Sequence, residues 1–150
     1  MKEKTPAESP FPEKLVHLGI VVRDIDKTVK RLESLGIGPF GALSMAPPIG
    51  KIYYRGKPLD AEYKVLSTKI GEVELEMFEP VKGESPWQEF LDNKGEGIHH
   101  MALLVDDLDK ETDRLTERGA SIMLQARSER GGGAYLDLNI GGIIIELLKD

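Results

Sequence analysis

Twenty residues of this chain occur twice. HLGIVVRDIDKTVKRLESLG, His17 to Gly36, and HMALLVDDLDKETDRLTERG, His100 to Gly119, align without a gap at a constant offset of 83. Eight of the 20 positions are identical: His17 with His100, Val22 with Val105, Asp24 with Asp107, Asp26 with Asp109, Lys27 with Lys110, Arg31 with Arg114, Leu32 with Leu115 and Gly36 with Gly119. Repetition in register points to duplication of one supersecondary unit, so the chain is read as two copies of a single design.

Each copy opens on an apolar run of strand length, LVHLGIVV or IHHMALLV. An Asp follows where a helix N-cap belongs, Asp24 or Asp107. About three helical turns come next; in the first copy Ile25, Val29 and Leu32 form an apolar stripe. Gly36 and Gly119 stand where a helix ends. Further strands are expected near FGALSMA, AEYKVLSTKI and EVELEMF in the first half, and near SIMLQA, GAYLDLNI and IIIELLK in the second. Turn signals separate them at Pro47-Pro48, Gly71, Gly131 to Gly133 and Gly141-Gly142. The reading is an α+β chain of two βαβββ modules forming a curved mixed sheet around a cleft. Residues 1–13 form a loose tail, 14–80 the first module, 81–96 a linker with a short helix around Trp87 to Leu91, and 97–150 the second module.

Composition narrows the chemistry. Hydrophobic residues make up 40% and charged residues 31%, which suits a soluble globular chain. The net charge is -6 with the signs mixed, and no basic stripe offers a phosphate footprint, so nucleic acid is not an expected partner. No apolar run approaches the roughly 20 residues of a membrane helix, and MKEKTPAESPFPE lacks the apolar core of a secretory signal; a cytoplasmic protein is expected. With no cysteine there is no disulfide, thiol nucleophile or thiolate-bound metal. Any metal site must use His and carboxylates.

Strand alternation sorts the polar residues by face. In EVELEMF, Glu74, Glu76 and Phe78 share one face, and Val73, Leu75 and Met77 lie under the helix. His17 falls beside Gly19, opposite Val16, Leu18, Ile20 and Val22. His100 shares a face with Ala102 and Leu104, and His99 points the other way. Matching EVELEMF to IIIELL puts Glu76 at the place of Glu146. Each half thus offers one imidazole on its first strand and one carboxylate on its last. Around a pseudo-twofold axis the four converge as a hard-to-borderline donor set for an octahedral divalent ion, whether nickel, cobalt, manganese, iron or zinc. A lone strand His is more often a hydrogen-bonded core or surface residue than a ligand; concurrence at equivalent places of a repeat favours the metal. Glu74 is read as the wet face of an antiparallel strand.

At these residues the chain resembles the vicinal oxygen chelate superfamily, which includes glyoxalase I, methylmalonyl-CoA epimerase, extradiol dioxygenases and bleomycin-resistance proteins. The resemblance runs from Val16 to Leu148. Its most specific piece, GEGIHHMALLVDDLD, is similar to methylmalonyl-CoA epimerases, as is VELEMFEP. It implies one divalent metal held by His17, Glu76, His100 and Glu146. It also implies a homodimer, and proton abstraction next to the carbonyl of a small substrate, an acyl-CoA or another α-carbonyl compound. Glu146 is the expected base as well as a ligand, and Glu62, with Lys64 as a lesser candidate, the expected acid on the third strand. A lactoylglutathione lyase (glyoxalase I) reaction uses the same ligands. A metal-free binding or resistance protein of this fold would typically have lost them. Arg127, Arg130 and Lys51 are candidates for a CoA phosphate or ordinary solvated charges. Two departures stand out: DLNIGG replaces the family's His-Pro-Lys stretch, and PPIGKIYYRGKPLD, Pro47 to Asp60, has no counterpart.

Overall fold

A computed structural model describes residues 14–42, 51–128 and 131–149. The tail of residues 1–13, Pro47-Pro48, Arg130 and most of the strand expected at FGALSMA lie outside these. The first half contains β1 (Lys14–Val21), α1 (Ile25–Ser34), β2 (Ile52–Tyr54), β3 (Lys57–Pro58), β4 (Glu62–Ile70) and β5 (Val73–Lys82). After α2 (Pro86–Lys94) the second half contains β6 (Gly97–Leu104), α3 (Leu108–Glu117), β7 (Ser121–Ser128), β8 (Gly131–Asp137) and β9 (Ile144–Lys149).

The two repeated helices begin alike. The Asp24 side chain accepts from the Lys27 amide and that of Asp107 from the Lys110 amide, so each N-cap satisfies one of the four orphan donors of the first turn. Gly36 and Gly119 end the helices at φ 88° and 106°, a conformation that disfavours any Cβ.

The nine strands of the described residues join one curled mixed sheet in the order β3-β2-β7-β8-β9-β6-β1-β5-β4. β1 and β6 meet antiparallel at its centre, each flanked by the parallel last strand of its own half. The pseudo-twofold axis therefore runs between the two repeated first strands. Two layers of apolar contact lock the helices to the outer face. Ile25 and Val29 of α1 pack with Val22 and Met77, and Leu108 of α3 packs with Ala134, Leu136, Ile145 and Leu147. A third cluster, on the inner face, joins Trp87 and Leu91 of α2 to Val21, Phe78, Met123, Leu124 and Tyr135. Trp87 lies stacked at 5.2 Å from Phe78, tilted at 4.3 Å from Tyr63, and edge-on at 6.2 Å from Tyr135. A tryptophan at such a centre is worth about 3–5 kcal/mol against truncation to Ala. α2 thereby plugs one end of the curl and leaves the polar inner residues beyond it.

The halves differ at one strand. After α3 the second half forms β7 against β8; at the corresponding place after α1 the first half shows an isolated bridge, Gly41 to Ser67. The stretch without a counterpart takes another route. It makes the β2–β3 hairpin, and β2 pairs with β7 on the far edge of the second half, Tyr53 opposite Gln125. Arg55 ties this hairpin to α2 through Glu89 at 2.6 Å, and the Tyr54 hydroxyl donates to the same carboxylate.

Candidate metal centre

The central pair β1/β6 builds the site. His17 stands opposite Ala102 and Gly19 opposite His100, an exchange of like positions across the pseudo-twofold axis. Two β-bulges flank it. Pairing skips from Leu15 to His17 on β1 and from Ile98 to His100 on β6, so Val16 and His99 are the extra residues. They are 83 apart, as the repeat requires, and a bulge re-aims the side chain that follows it. This corrects the alternation-based placement of His99 on the opposite face. The bulge breaks the period of two, His99 and His100 both turn inward, and their Nδ1 atoms lie 2.8 Å apart. Both are buried, 3% and 1% exposed.

Gly19 leaves room for this. A Cβ there would sit 2.5 Å from both nitrogens of the His100 ring, well inside contact distance, so the ring lies flat over bare backbone. Gly133 plays a related part on β8. A Cβ there would stand 3.0 Å from Glu146 Oε2, so that oxygen lies over an uncluttered strand.

Three donor atoms converge. His17 Nε2 lies 3.2 Å from His100 Nε2 and 2.9 Å from Glu146 Oε1, and His100 Nε2 lies 3.3 Å from the same oxygen. His17, His100 and Glu146 are the candidate metal-holding group among the described residues. The residues fit a divalent ion on two counts. Donors about 2.1 Å from a common centre on right-angled axes stand about 3 Å apart, close to all three edges. Two imidazoles and a carboxylate also suit a borderline divalent cation.

Glu76 is on the same face but has a different neighbour. Its Oε2 takes a hydrogen bond from His17 Nδ1 at 2.9 Å, so in this arrangement it grips His17 from behind and stands outside the group of three. Glu62 is not brought to the site. It is exposed, pairs across to Lys82, and begins β4 five residues before Ser67, the residue opposite Glu76; that is about 17 Å along a strand. Lys64 approaches Glu79 at 3.8 Å. Glu74 departs from its expected wet face: it is buried at 8% exposure, and Ser67 of the neighbouring strand β4 donates a hydrogen bond to its Oε1 at 2.7 Å. Arg127 is engaged by Asp109 at 2.8 Å.

The electrostatics follow from this crowding. Burial by itself lowers the His17 pKa, but hydrogen bonds to Glu146 and Glu76, with their charges, outweigh it and hold the imidazole at about 9. Burial raises that of Glu146, and the hydrogen bonds and charges of His100 and His17 bring it down to about 2. Burial, aided by His100, depresses His99 to about 3, so that ring is neutral. Tyr135, opposite Glu146 on β8 and 4.6 Å from the His100 ring, has its hydroxyl pushed well up by burial.

Sequence reasoning missed Gly19, Gly133, His99 and Tyr135 as parts of the site. An isolated Gly inside a strand pattern is a signal of close approach that was available for Gly19. Nothing in the sequence marks the bulges.

The comparisons bear on the family and the fold. A family model described as the Glyoxalase/Bleomycin resistance protein/Dioxygenase superfamily matches residues 16–136. The chain belongs to that superfamily, the vicinal oxygen chelate group. An uncharacterized protein of Bacillus subtilis (strain 168), YqjC, is 28% identical over 85 residues, which are 54% of this chain; the chain spans 61% of that curated relative's length. Among solved structures, hypothetical protein BH1468 of Bacillus halodurans C-125 superposes with a TM-score of 0.66 at 25% identity, over 91% of this chain and 94% of that one. A methylmalonyl-CoA epimerase variant of Streptomyces coelicolor in complex with 2-nitronate-propionyl-CoA gives 0.62 at 19%, over 92% and 97%. The methylmalonyl-CoA epimerase of Mycobacterium tuberculosis gives 0.61 at 22%, over 93% and 89%. At those identities the epimerases share the fold. No helix among the described residues is long and apolar enough to cross a membrane.

Proposed function

We propose that this chain is a divalent-metal-dependent isomerase that moves a proton next to a carbonyl, with an epimerase acting on a methylmalonyl-CoA-like acyl thioester as the first reading. The observation that carries it is the triangle of His17 Nε2, His100 Nε2 and Glu146 Oε1, with edges of 3.2, 2.9 and 3.3 Å. His17, His100 and Glu146 would hold a cation, which would supply positive charge for an enolate oxygen, an electrostatic gain of several kcal/mol. The chain's own groups do the rest. His17 presents Nε2 because Glu76 holds its Nδ1 proton. His100 presents Nε2 across from it. Glu146 would bind through Oε1, and Oε2, which lies over Gly133, is the proposed acceptor of an α-proton. Trp87, Phe78 and Tyr135 wall the inner end with apolar surface, which strengthens every charge interaction in the cleft.

Epimerisation requires a second proton donor on the opposite face of the substrate. Glu62 does not stand there, and this favours a second reading. A lyase or isomerase of the lactoylglutathione type shuttles one proton between adjacent carbons with a single base, for which Glu146 suffices. One assay separates them: the metal-loaded protein given methylmalonyl-CoA in deuterated water, and in parallel the methylglyoxal–glutathione hemithioacetal. Deuterium entry at the α-carbon of methylmalonyl-CoA supports the first reading and lactoylglutathione formation the second. Activity on neither, with no divalent ion taken up, leaves a metal-free binding protein of the same fold. We propose a homodimer in solution, since the curl leaves β3 and β4 as open edges; a sharp monomer mass at micromolar concentration contradicts it.

A further inference from the structure

The proposed ligands His17 and His100 differ in what holds their other ring nitrogen. His17 Nδ1 faces a carboxylate, Glu76. His100 Nδ1 faces His99 Nδ1 at 2.8 Å, and no ion pair to that atom is found among the described residues. We infer that His99 is a positioning residue that sets the tautomer and aim of His100 through a ring-to-ring N–H···N hydrogen bond; the inference rests on the metal reading of the site.

The proton count is constrained. For His100 to give its Nε2 lone pair to a cation, its proton must sit on Nδ1. That Nδ1–H points at His99 Nδ1, which must then be the acceptor. His99 must carry its own proton on Nε2, the atom that is buried and has no hydrogen-bond partner among the described residues. A buried N–H without a partner is costly, and the packing of the ring must offset that cost. Phe90 meets the His99 ring edge-on at 5.2 Å and Tyr135 covers it at 5.5 Å. The bulge that turns His99 inward is thus part of the metal site, even though the residue touches no proposed metal position.

The chemical consequence is an asymmetric pair of ligands. A carboxylate behind an imidazole raises its basicity; a neutral imidazole behind another orients it without adding negative charge. His17 is then the stronger donor and His100 the weaker. Ligand-backing residues of this kind are worth 10- to 100-fold in metal affinity.

Two variants and one measurement test this. His99→Phe keeps a flat ring and removes both nitrogens. His99→Asn places an amide oxygen near the position of Nδ1 and restores an acceptor. Cobalt(II) titration, followed by calorimetry, should weaken about 10- to 100-fold in the Phe variant and by no more than about threefold in the Asn variant. A folded Phe variant that binds cobalt(II) as wild type does, or an Asn variant as weak as Phe, overturns the inference. In apo wild type, nitrogen-15 NMR should show scalar coupling across the hydrogen bond between the two Nδ1 atoms, and its absence also overturns it. Should wild type take up no cobalt(II), the metal reading fails, and the coupling still decides whether the rings are paired.

Discussion

The two halves carry the same two residue types, one His and one Glu, at matching positions and use them differently. In the first half the carboxylate of the last strand, Glu76, turns back to its own histidine and accepts from Nδ1. In the second half Glu146 reaches across the axis and lies between both Nε2 atoms, 2.9 and 3.3 Å away. The first half spends its glycine at Gly19, opening a seat for the other half's histidine; the second has Ala102 at the equivalent place and opens Gly133 beside its own carboxylate. Duplication supplies a symmetric frame. Single substitutions on that frame then make one carboxylate a candidate ligand and base and the other a brace.

The largest expected effect breaks the frame itself. Gly19→Val drives a branched side chain into the His100 ring, with an overpacking cost of about 1–3 kcal/mol and loss of metal uptake. Ala102→Gly, its mate across the axis, should cost about 0.5–1 kcal/mol, the usual penalty of glycine in a strand, and keep the metal. Thermal melts with and without nickel(II) measure both. Equal effects would mean that the two positions are interchangeable.

A smaller contrast separates the carboxylates. At a hundredfold excess of ion over Kd, wild type should gain about 2.7 kcal/mol from the metal. Glu146→Gln should forfeit most of that gain. Glu76→Gln, acting through His17, should weaken affinity only about 10- to 100-fold. If Glu76→Gln loses as much as Glu146→Gln, then Glu76 binds the ion directly, as the family resemblance implies, and the halves contribute alike.

The smallest effect is in pH dependence. In the apo protein the folded state raises His17 from 6.5 to about 9, so its stabilisation is complete below pH 6.5 and lost as pH rises through 9. His99 is lowered to about 3, so the stability of burying it neutral is present above pH 6.5 and lost as pH falls toward 3. Glu146, lowered to about 2, adds to the acid loss below its ordinary 4.5. The apo melting temperature should peak near pH 6.5 and decline on both sides. Added metal should flatten the alkaline limb, because the ion takes the place of the His17 proton. An apo protein that is most stable at pH 9 contradicts this.

Much of the frame was legible. A repeat at fixed offset disclosed both first strands and both helices, and matching the two halves around a pseudo-twofold axis singled out His17, His100, Glu146 and Glu76 as a set that could converge. What escaped depends on pairing rather than on local sequence. A bulge exists only relative to a partner strand, so the inward turn of His99 could not be read from IHHMALLV. Glu74 looks solvated until Ser67 of the neighbouring strand is found donating to it. The hairpin of Ile52 to Pro58 joins the edge of the other half, a long-range pairing with no local signature. Glu62 was chosen for its chemistry, and the register of β4 sends it away from the cleft.

The most direct test of a shared metal seat at the centre of the repeat is the metal content of three proteins after identical purification and dialysis against cobalt(II). Wild type should hold one ion per chain. His17→Ala and His100→Ala, one from each half, should each lose nearly all of it. Full cobalt content in both single variants, with folding intact, would contradict the account.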